Sequence, residues 1–347
     1  MLRLIKSISN LNGDRSFSIL RNNKKILFQT TSNEFIIEDV NVDYIELLDT
    51  NYEANLALGI FEYSNFYLVS FGSGSPQFIP FNGDIKDLVD PIKDMKFNIL
   101  VQKERYLSCY NSKPELSNRF FLYDTIQKDL IFITEASMIM NYVIKGDSVY
   151  LSTFKGELIK VHAKHNDNPH LVNLLWLNPE IEILVDFHNT TNQAILLMKT
   201  GELVFFDVSS KEAKLSIRFL NDWVLKNQNC KVYLVGDNVI YTYIDKLVSF
   251  NIQTNEITRK EFDKDIWVKY TWLEGENIFF SASKSADMVN KFIGIIDTNT
   301  LEIKHLNQVI DDEDKASLSI IKSNGILIGV SDNKNRLHVF QIENHGV

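Results

Sequence analysis

The amino-acid sequence predicts an all-β fold in which one antiparallel sheet is repeated along the chain. The stretch 192–219 shows the unit most clearly, since polar turns separate three short apolar runs: 194–198, 202–207 and 214–219. The last run alternates apolar and polar residues, as a half-buried strand does. No segment longer than about 12 residues keeps the 3.6-residue apolar period of a helix without a helix breaker. We therefore interpret the unit as three strands of a meander.

A three-stranded meander cannot bury both of its faces alone, so further copies are expected. A polar residue closes the second apolar run of each copy, and these residues are Asp39, Asn82, Asp124, His162, Asp207, Asn251, Asp297 and Gln341. They follow one another at intervals of 38 to 46 residues. Such an interval is typical of the four-stranded blades of a β-propeller.

A second marker has the same spacing. Glycine-containing turns precede an apolar run in several copies, at Gly146, Gly236, Gly275 and Gly325. The two markers together predict a single-domain β-propeller over residues 1–347, with eight four-stranded blades. Seven blades is the alternative, if the irregular early units merge.

The N-terminal segment is predicted to close the propeller. The last unit has only three recognisable strands, while residues 2–9 precede the first full unit. We expect these residues to pair beside 336–342 as the fourth strand of the final blade. This pairing would remove an open sheet edge between the last and first blades and hold both termini in place.

The composition is that of an ordinary soluble protein, with 45% hydrophobic and 23% charged residues. Cys109 and Cys230 lie in separate repeats and match no disulfide or zinc pattern, so we expect buried free thiols. The first 16 residues lack the apolar core of a secretory signal, and no apolar stretch approaches the ~18 residues of a membrane-spanning helix. We therefore expect a cytoplasmic protein that does not bind membranes.

The charge balance indicates which partners are favoured. The chain has 36 Lys and Arg against 45 Asp and Glu, a formal net charge of −9. Repulsion from a phosphate backbone argues against nucleic acid as a partner. A charged partner is instead expected to be basic.

Several segments share one pattern: apolar residues, then Asp or Asn, then a polar turn with Thr or Ser, then a further strand. The segments are 118–130, 202–214, 247–259 and 294–304. This pattern resembles the repeats of quinoprotein-like and WD-repeat-like β-propellers. The resemblance implies architecture alone, because the Gly-His and Trp-Asp signature of WD repeats and the tryptophan-docking repeats of quinone-dependent dehydrogenases are absent.

The sequence offers one weak candidate for a metal site. His162, His165, Asp167 and His170 follow the third strand of the fourth unit, and imidazole and carboxylate groups bind transition metals when three of them converge. A solvated polar loop is the alternative and the preferred interpretation. No nucleophile elbow, phosphate loop or HExxH motif occurs, so we expect neither catalysis nor a cofactor.

The candidate binding surface consists of tryptophans and an acidic run. The tryptophans are predicted in or beside connections between consecutive units, and they are Trp176, Trp223, Trp267 and Trp272. The acidic run occupies the next connection and consists of Asp311, Asp312, Glu313 and Asp314. Tryptophan is common in interface hot spots, and carboxylates attract a basic partner. The alternatives are tryptophans packed between blades and a solvated acidic loop.

These observations favour a non-enzymatic propeller whose rim binds another protein with a basic surface. Two roles fit equally: an immunity-type protein that neutralises a basic toxin or effector, and a scaffold subunit of a multiprotein assembly. The alternative is a lactonase-like or quinone-dependent enzyme with a site on the propeller axis.

Overall fold

The computed structural model describes residues 2–21, 24–42, 44–48, 56–63, 66–71, 77–81, 97–103, 106–111, 119–124, 129–135, 139–146, 148–162, 172–188, 191–220, 231–262, 265–284 and 288–343. Every regular element in these ranges is a β-strand, and there are 31 of them. The prediction of an all-β fold is therefore confirmed.

The strands form eight antiparallel sheets in the described ranges, seven with four strands and one with three. The chain begins with β1 (Leu2–Ile8), which is discussed below. Sheet 1 contains β2 (Phe17–Ile19), β3 (Lys25–Gln29), β4 (Phe35–Asp39) and β5 (Tyr44–Leu48). Sheet 2 contains β6 (Ala57–Glu62), β7 (Phe66–Phe71) and β8 (Gln77–Pro80). Sheet 3 contains β9 (Phe97–Lys103), β10 (Tyr106–Asn111), β11 (Arg119–Asp124) and β12 (Asp129–Glu135). Sheet 4 contains β13 (Ile139–Lys145), β14 (Ser148–Thr153), β15 (Glu157–His162) and β16 (Val172–Leu177).

The second half of the chain continues the same order. Sheet 5 contains β17 (Ile181–Phe187), β18 (Gln193–Met198), β19 (Glu202–Asp207) and β20 (Glu212–Arg218). Sheet 6 contains β21 (Val232–Val235), β22 (Asn238–Tyr243), β23 (Lys246–Asn251) and β24 (Glu256–Glu261). Sheet 7 contains β25 (Ile266–Glu274), β26 (Asn277–Lys284), β27 (Asn290–Asp297) and β28 (Ile303–Gln308). Sheet 8 contains β29 (Leu318–Ser323), β30 (Leu327–Asp332) and β31 (Leu337–Ile342), with β1 as its fourth strand.

The repeat predicted from the polar markers matches these sheets. Six markers are the last residues of third strands: Asp39, Asp124, His162, Asp207, Asn251 and Asp297. Gln341 lies one residue before the end of β31, while Asn82 lies outside the described residues. The predicted fourth strand of the second unit also lies outside them, so the count of eight complete blades stays a prediction.

Within each sheet the first strand is innermost and the fourth is outermost. First strands of neighbouring sheets contact one another, as β13 contacts β17 and β25 contacts β29. The second and third strands are buried, whereas β20 and β24 are largely exposed. Apolar side chains from facing sheets form the core, because each sheet is covered on both faces by its neighbours.

Third strands end in a repeated side-chain cap. One side-chain oxygen of Asp207 accepts the backbone N–H groups of Ser209 and Ser210, over 2.8 and 3.1 Å. Asn251 and Asp297 make the same pair of bonds two and three residues further along the chain. This is the local bonding that suits Asp and Asn to turns. The polar markers therefore have a structural role.

The N-terminal strand completes sheet 8, as predicted. β1 pairs antiparallel with β31 from Leu2 opposite Ile342 to Ile8 opposite Leu337. Lys6 of β1 forms an ion pair with the buried Glu38 of sheet 1. Because β2 also contacts β29 and β30, sheets 8 and 1 pack directly against each other.

Side chains of the innermost strands fasten one sheet to the next. Asn141 donates to the backbone carbonyl of Leu184 over 2.6 Å, from sheet 4 to sheet 5. Lys322 donates to the carbonyl of Phe17 over 2.5 Å, from sheet 8 to sheet 1. These bonds satisfy backbone groups at the junctions between sheets.

Candidate interaction rim

Two edges of the fold differ in what they carry. Because consecutive strands of a meander run in opposite directions, the turn between second and third strands lies on the same edge as the connection to the next sheet. We call this edge the connection rim. The opposite edge carries the turns between first and second strands and between third and fourth strands, and we call it the turn rim.

The connection rim is built from a repeated turn. In sheets 1, 4, 5 and 8 the turn after the second strand ends in a left-handed residue, and these residues are Asn33, Gly156, Gly201 and Asn335, with φ between 59° and 82°. Glycine and asparagine adopt this conformation at the lowest cost. The carbonyl of the left-handed residue then accepts a backbone N–H from the outgoing connection: Asn178 to Gly156, Leu220 to Gly201 and Leu11 to Asn335, over 2.9 to 3.0 Å.

The last of these bonds shows how the fold is closed. Leu11 follows β1 and bonds to Asn335 in the same way that residues after β16 and β20 bond to their own turns. The non-covalent junction between the termini therefore has the geometry of the covalent ones. The connection rim is continuous across it.

The residue after the left-handed position separates sheet 8 from the other three. Glu34, Glu157 and Glu202 occupy it in sheets 1, 4 and 5, whereas Arg336 occupies it in sheet 8. Arg336 donates to Asp332 at the start of the same turn over 2.6 Å and to Asp314 over 2.8 Å. The reversal of charge thus recruits an acidic residue from the neighbouring connection.

Asp314 is therefore an anchor of the connection 309–317. Lys334 reaches one of its oxygens over 2.5 Å, and the N–H of Ala316 reaches the same oxygen over 2.9 Å. Hydrogen bonds from Lys334, from the Ala316 amide and from Arg336 hold the pKa of Asp314 well below its usual range. Asp314 is ionised at neutral pH and holds the connection against sheet 8.

Asp332 is buried beneath this turn. One of its oxygens accepts the backbone N–H groups of Lys334 and Arg336, and the other lies 3.1 Å from Nε2 of His338. Burial acts to raise the pKa of Asp332, but the hydrogen bonds from His338, Arg336 and the Lys334 amide more than offset it, so the pKa is lowered.

The same histidine bonds to the N-terminal strand. Nδ1 of His338 lies 3.1 Å from Oγ of Ser7, which places Ser7, His338 and Asp332 in the order of a hydrolase triad. However, Asp332 already accepts Arg336 and two backbone amides, and Ser7 lies within a regular strand. We interpret this chain of bonds as a link between β1 and the turn.

A second anchor lies at the start of the connection. The ammonium group of the buried Lys291 donates to the backbone carbonyls of Asp311 and Asp312, over 3.1 and 2.7 Å. The carboxylate of Asp312 accepts a hydrogen bond from Gln308 over 2.9 Å. The connection is therefore fixed at both ends, by Lys291 and by Asp314.

Two carboxylates of the acidic run are left over. Asp311 and Glu313 are exposed, and within the part of the chain that the structure describes their carboxylates form no hydrogen bond or ion pair. Met288, in the adjoining turn of sheet 7, is 64% exposed. The connection, which is fixed at both ends, thus presents free negative charge at the surface.

The described tryptophans are placed differently from one another. Trp176 is the penultimate residue of β16 and stacks on Phe206 of sheet 5, with ring centroids 5.0 Å apart and planes inclined by 9°. Trp272 lies in the middle of β25 rather than in a connection, and its indole N–H donates to the carbonyl of Ser323 over 3.0 Å. Both therefore pack neighbouring sheets together.

Trp267 and Trp223 complete the predicted set. Trp267 is the second residue of β25, half-buried, with the ammonium of Lys269 5.2 Å from its ring centroid. Trp223 lies outside the described residues. The prediction that all four tryptophans lie on one surface therefore stays a prediction, while two of the three described ones pack between sheets.

The metal candidate falls almost wholly outside the described residues. His162 ends β15, and His165, Asp167 and His170 belong to the stretch 163–171, which is not described. In the ranges that are described, no three His, Cys, Asp or Glu side chains converge on one point. These ranges also contain no helix that is long and apolar enough to cross a membrane.

Sequence reasoning missed the cations that bind the acidic run. A comparison of the turn sequences would have found one of them, since 332–336 ends in Arg336 where 30–34, 153–157 and 198–202 end in Glu. The exposure of Met288 has no such signal, because nothing in its local sequence predicts it.

No family model matches the chain, and no curated protein matches its sequence. Solved β-propellers do share its fold. The C-terminal WD40 domain of Sif2 matches with a TM-score of 0.65 at 12% identity, over 99% of both chains. Sqt1 of Saccharomyces cerevisiae matches with 0.62 at 9% identity, over 98% of this chain and 99% of that one. A chain of the mitotic checkpoint complex matches with 0.51 at 7% identity, over 99% and 95%. The WD-repeat-like β-propeller architecture predicted from the sequence is confirmed.

Proposed function

We propose that the protein is a non-enzymatic interaction module that binds a basic protein through the connection 309–317. The observation that carries this proposal is the pair of exposed, unpaired carboxylates of Asp311 and Glu313 on a connection fixed at both ends. A rigid loop loses little conformational freedom when it is bound, so its contacts are not offset by the cost of ordering it. Free carboxylates attract a cationic surface and accelerate its association.

The fold and the net charge of −9 support the same proposal. One protein with this fold is a component of the mitotic checkpoint complex. Two roles remain equivalent here, as in the sequence analysis: a scaffold subunit that holds a basic protein, and an immunity-type protein that neutralises a basic toxin or effector. Both need the same surface, and for both we propose a cytoplasmic location.

An axial enzyme is not proposed. Two lysines of innermost strands, Lys145 and Lys322, donate to backbone carbonyls of the next sheet, at Thr191 and Phe17. They serve the junctions between sheets.

The test is a comparison of three forms of the protein, each purified by affinity from its own host cells. The wild type is compared with Asp311→Asn/Glu313→Gln and with Glu46→Gln/Glu212→Gln, which removes the same charge from the outer strands of sheets 1 and 5. We expect a basic protein to co-elute with the wild type and the control, and its recovery to fall about tenfold with the rim variant, equivalent to about 1.4 kcal/mol. Equal recovery of every co-eluting protein by all three forms would contradict the proposal.

A further inference from the structure

A cleft of about 260 Å³ lies on the turn rim, between sheets 6 and 7. Sheet 6 lines one side with residues of β22, β23 and β24, and the turn between the third and fourth strands of sheet 7 lines the other. Lys260 bridges the two sides, since its ammonium group donates to the carbonyl of Thr300 over 2.7 Å. The cleft is therefore bounded by two sheets that are fastened together.

The cleft exists because sheet 6 lacks a large side chain that other sheets have. Ser249 lies two residues before the end of its third strand, and the equivalent residues of sheets 1, 5 and 7 are Ile37, Phe205 and Ile295. Each of those apolar residues is buried in the cluster between its own sheet and the next one. With a serine at this position, the space between sheets 6 and 7 stays open.

The polar groups around the cleft are only partly used by the protein. The amide nitrogen of Asn238, the hydroxyls of Ser249 and Thr258, and the side-chain oxygen of Asn299 form no hydrogen bond to any residue that the structure describes. They comprise a donor, two groups that both donate and accept, and an acceptor. A bound molecule with several hydroxyl groups can satisfy all four.

The two amide side chains among these groups are already held in position. Asn251 donates to the side-chain oxygen of Asn238 over 3.0 Å, which leaves the amide nitrogen of Asn238 as the available end. Asn299 donates to Glu276 over 3.1 Å, which leaves its oxygen available. A site whose polar groups are fixed before binding loses less free energy on ordering.

The lining also restricts the chemical class of the ligand. Among the described residues that line it, the one charged residue is Glu256, so an anion would be repelled. The one apolar residue among them is Leu301, so an apolar ligand would leave polar groups unpaired. The volume lies below the roughly 300–1,000 Å³ of sites for drug-sized ligands, which indicates a small molecule. We propose that this cleft binds a neutral polyhydroxylated molecule of monosaccharide size, such as a free sugar or a sugar residue at the end of a glycan.

This site is separate from the proposed protein-binding surface, which lies on the opposite rim. Ligand-observed saturation-transfer NMR tests it, with glucose, galactose, mannose, N-acetylglucosamine and myo-inositol as probes at millimolar concentration. We expect saturation transfer to at least one of these. Ser249→Phe, which installs the side chain of sheet 5, should reduce the signal at least about tenfold, while Ser249→Ala, which keeps the cleft open, should retain most of it.

Two checks make the result decisive. Thr258→Phe blocks the cleft from the exposed outer strand β24, at the position that Leu215 occupies in sheet 5, so it tests the site even if Ser249→Phe does not fold. Absence of transfer to all five probes would overturn the proposal. So would a signal that Ser249→Phe or Thr258→Phe, when folded, leaves unchanged. Ethylammonium serves as a competitor, and binding of this cation in preference to every sugar would also overturn it.

Discussion

The guanidinium of Arg336 lies 2.8 Å from one carboxylate oxygen of Asp314, and this contact ties the connection 309–317 to the last turn of the chain. Lys334, two residues earlier, reaches the other oxygen. Two of the four acidic residues of this run, Asp312 and Asp314, thus have carboxylates that form hydrogen bonds or ion pairs within the protein. The remaining carboxylates of Asp311 and Glu313 are presented on a fixed support.

Asp314→Asn should lower stability at neutral pH and lose this effect in acid. The pKa of Asp314 is depressed in the folded state, so its contribution is fully present above its unfolded pKa of about 4 and declines as the pH falls through the lower, folded value. Urea unfolding of the wild type and the variant at several pH values between 7 and 2 measures how their difference in stability changes with pH. A difference that stays constant from pH 7 to pH 2 would contradict this account.

Lys322 should make the free energy of unfolding depend on pH in the alkaline range. Burial, with a smaller contribution from Arg15, lowers the pKa of Lys322 to about 8, from 10.5. The folded state then binds fewer protons than the unfolded state between these values, so the free energy of unfolding should rise between about pH 8 and 10.5. Guanidinium unfolding should show this rise in the wild type and a smaller one in Lys322→Met. Identical profiles for the two proteins would refute the assignment.

Gly156→Ala should destabilise the protein much more than Gly146→Ala. Both glycines have a positive φ, but a Cβ at Gly156 would lie 2.2 Å from the carbonyl oxygen of Asn178, whereas one at Gly146 would meet nothing within 4 Å. We expect a loss of about 1 kcal/mol for Gly146→Ala, from conformation alone, and of about 3 kcal/mol or more for Gly156→Ala. Denaturant titrations measure both losses. Equal losses of unfolding free energy for the two variants would show that the short distance between Gly156 and the carbonyl of Asn178 does not exclude a side chain at this position.

Trp272→Phe should affect stability and leave partner binding intact. The substitution removes the N–H that donates to the carbonyl of Ser323, at a cost of about 1–2 kcal/mol. Trp267→Phe is the matched control on the same strand, and we expect a loss below about 0.5 kcal/mol because its ring contacts Lys269 without such a bond. Chemical unfolding and the affinity purification described above measure the two properties. If a folded Trp272→Phe protein recovered less partner, Trp272 would belong to the binding surface after all.

Deletion of residues 1–9 should remove more stability than any surface substitution. Leu2 and Ile8 are buried, and their loss alone costs about 3–6 kcal/mol, with the edge of β31 left unpaired. We expect a lower unfolding midpoint and soluble oligomers in size-exclusion chromatography. Arg3→Ala is the control, because Arg3 is exposed and its ion pair with Glu343 lies at the surface. A truncated monomer as stable as the wild type would show that β1 is dispensable.

The sequence predicted the parts of the fold that depend on local chemistry. Asp207 and Asn251 end their strands because their side chains bond to amides two and three residues later, which is a property of neighbouring residues. The pairing of β1 followed from the missing strand of the last unit. Predictions of this kind need only the repeat and its turns.

Contacts between residues that are far apart in the sequence could not be predicted in this way. Trp272 bonds to a carbonyl 51 positions away, and Asp314 pairs with cations 20 and 22 positions away. Neither partner is specified by local pattern, since packing between sheets decides which side chains meet. Aligning the third strands on their polar markers singles out Ser249, but the cleft itself depends on how sheets 6 and 7 pack.

Closure of sheet 8 has a consequence for the order of events during synthesis. Ile8 pairs with Leu337, so β1 has to remain unpaired with β31 until residues 337–342 have emerged from the ribosome. At about 5–20 residues per second this takes roughly 20 to 70 seconds. Sheets 1 to 7 draw their strands from consecutive segments and can assemble as they are made. In a circular permutant that is opened between residues 9 and 10 and in which residue 347 is joined to residue 1, the four strands of sheet 8 would be consecutive in sequence, as they are in the other sheets.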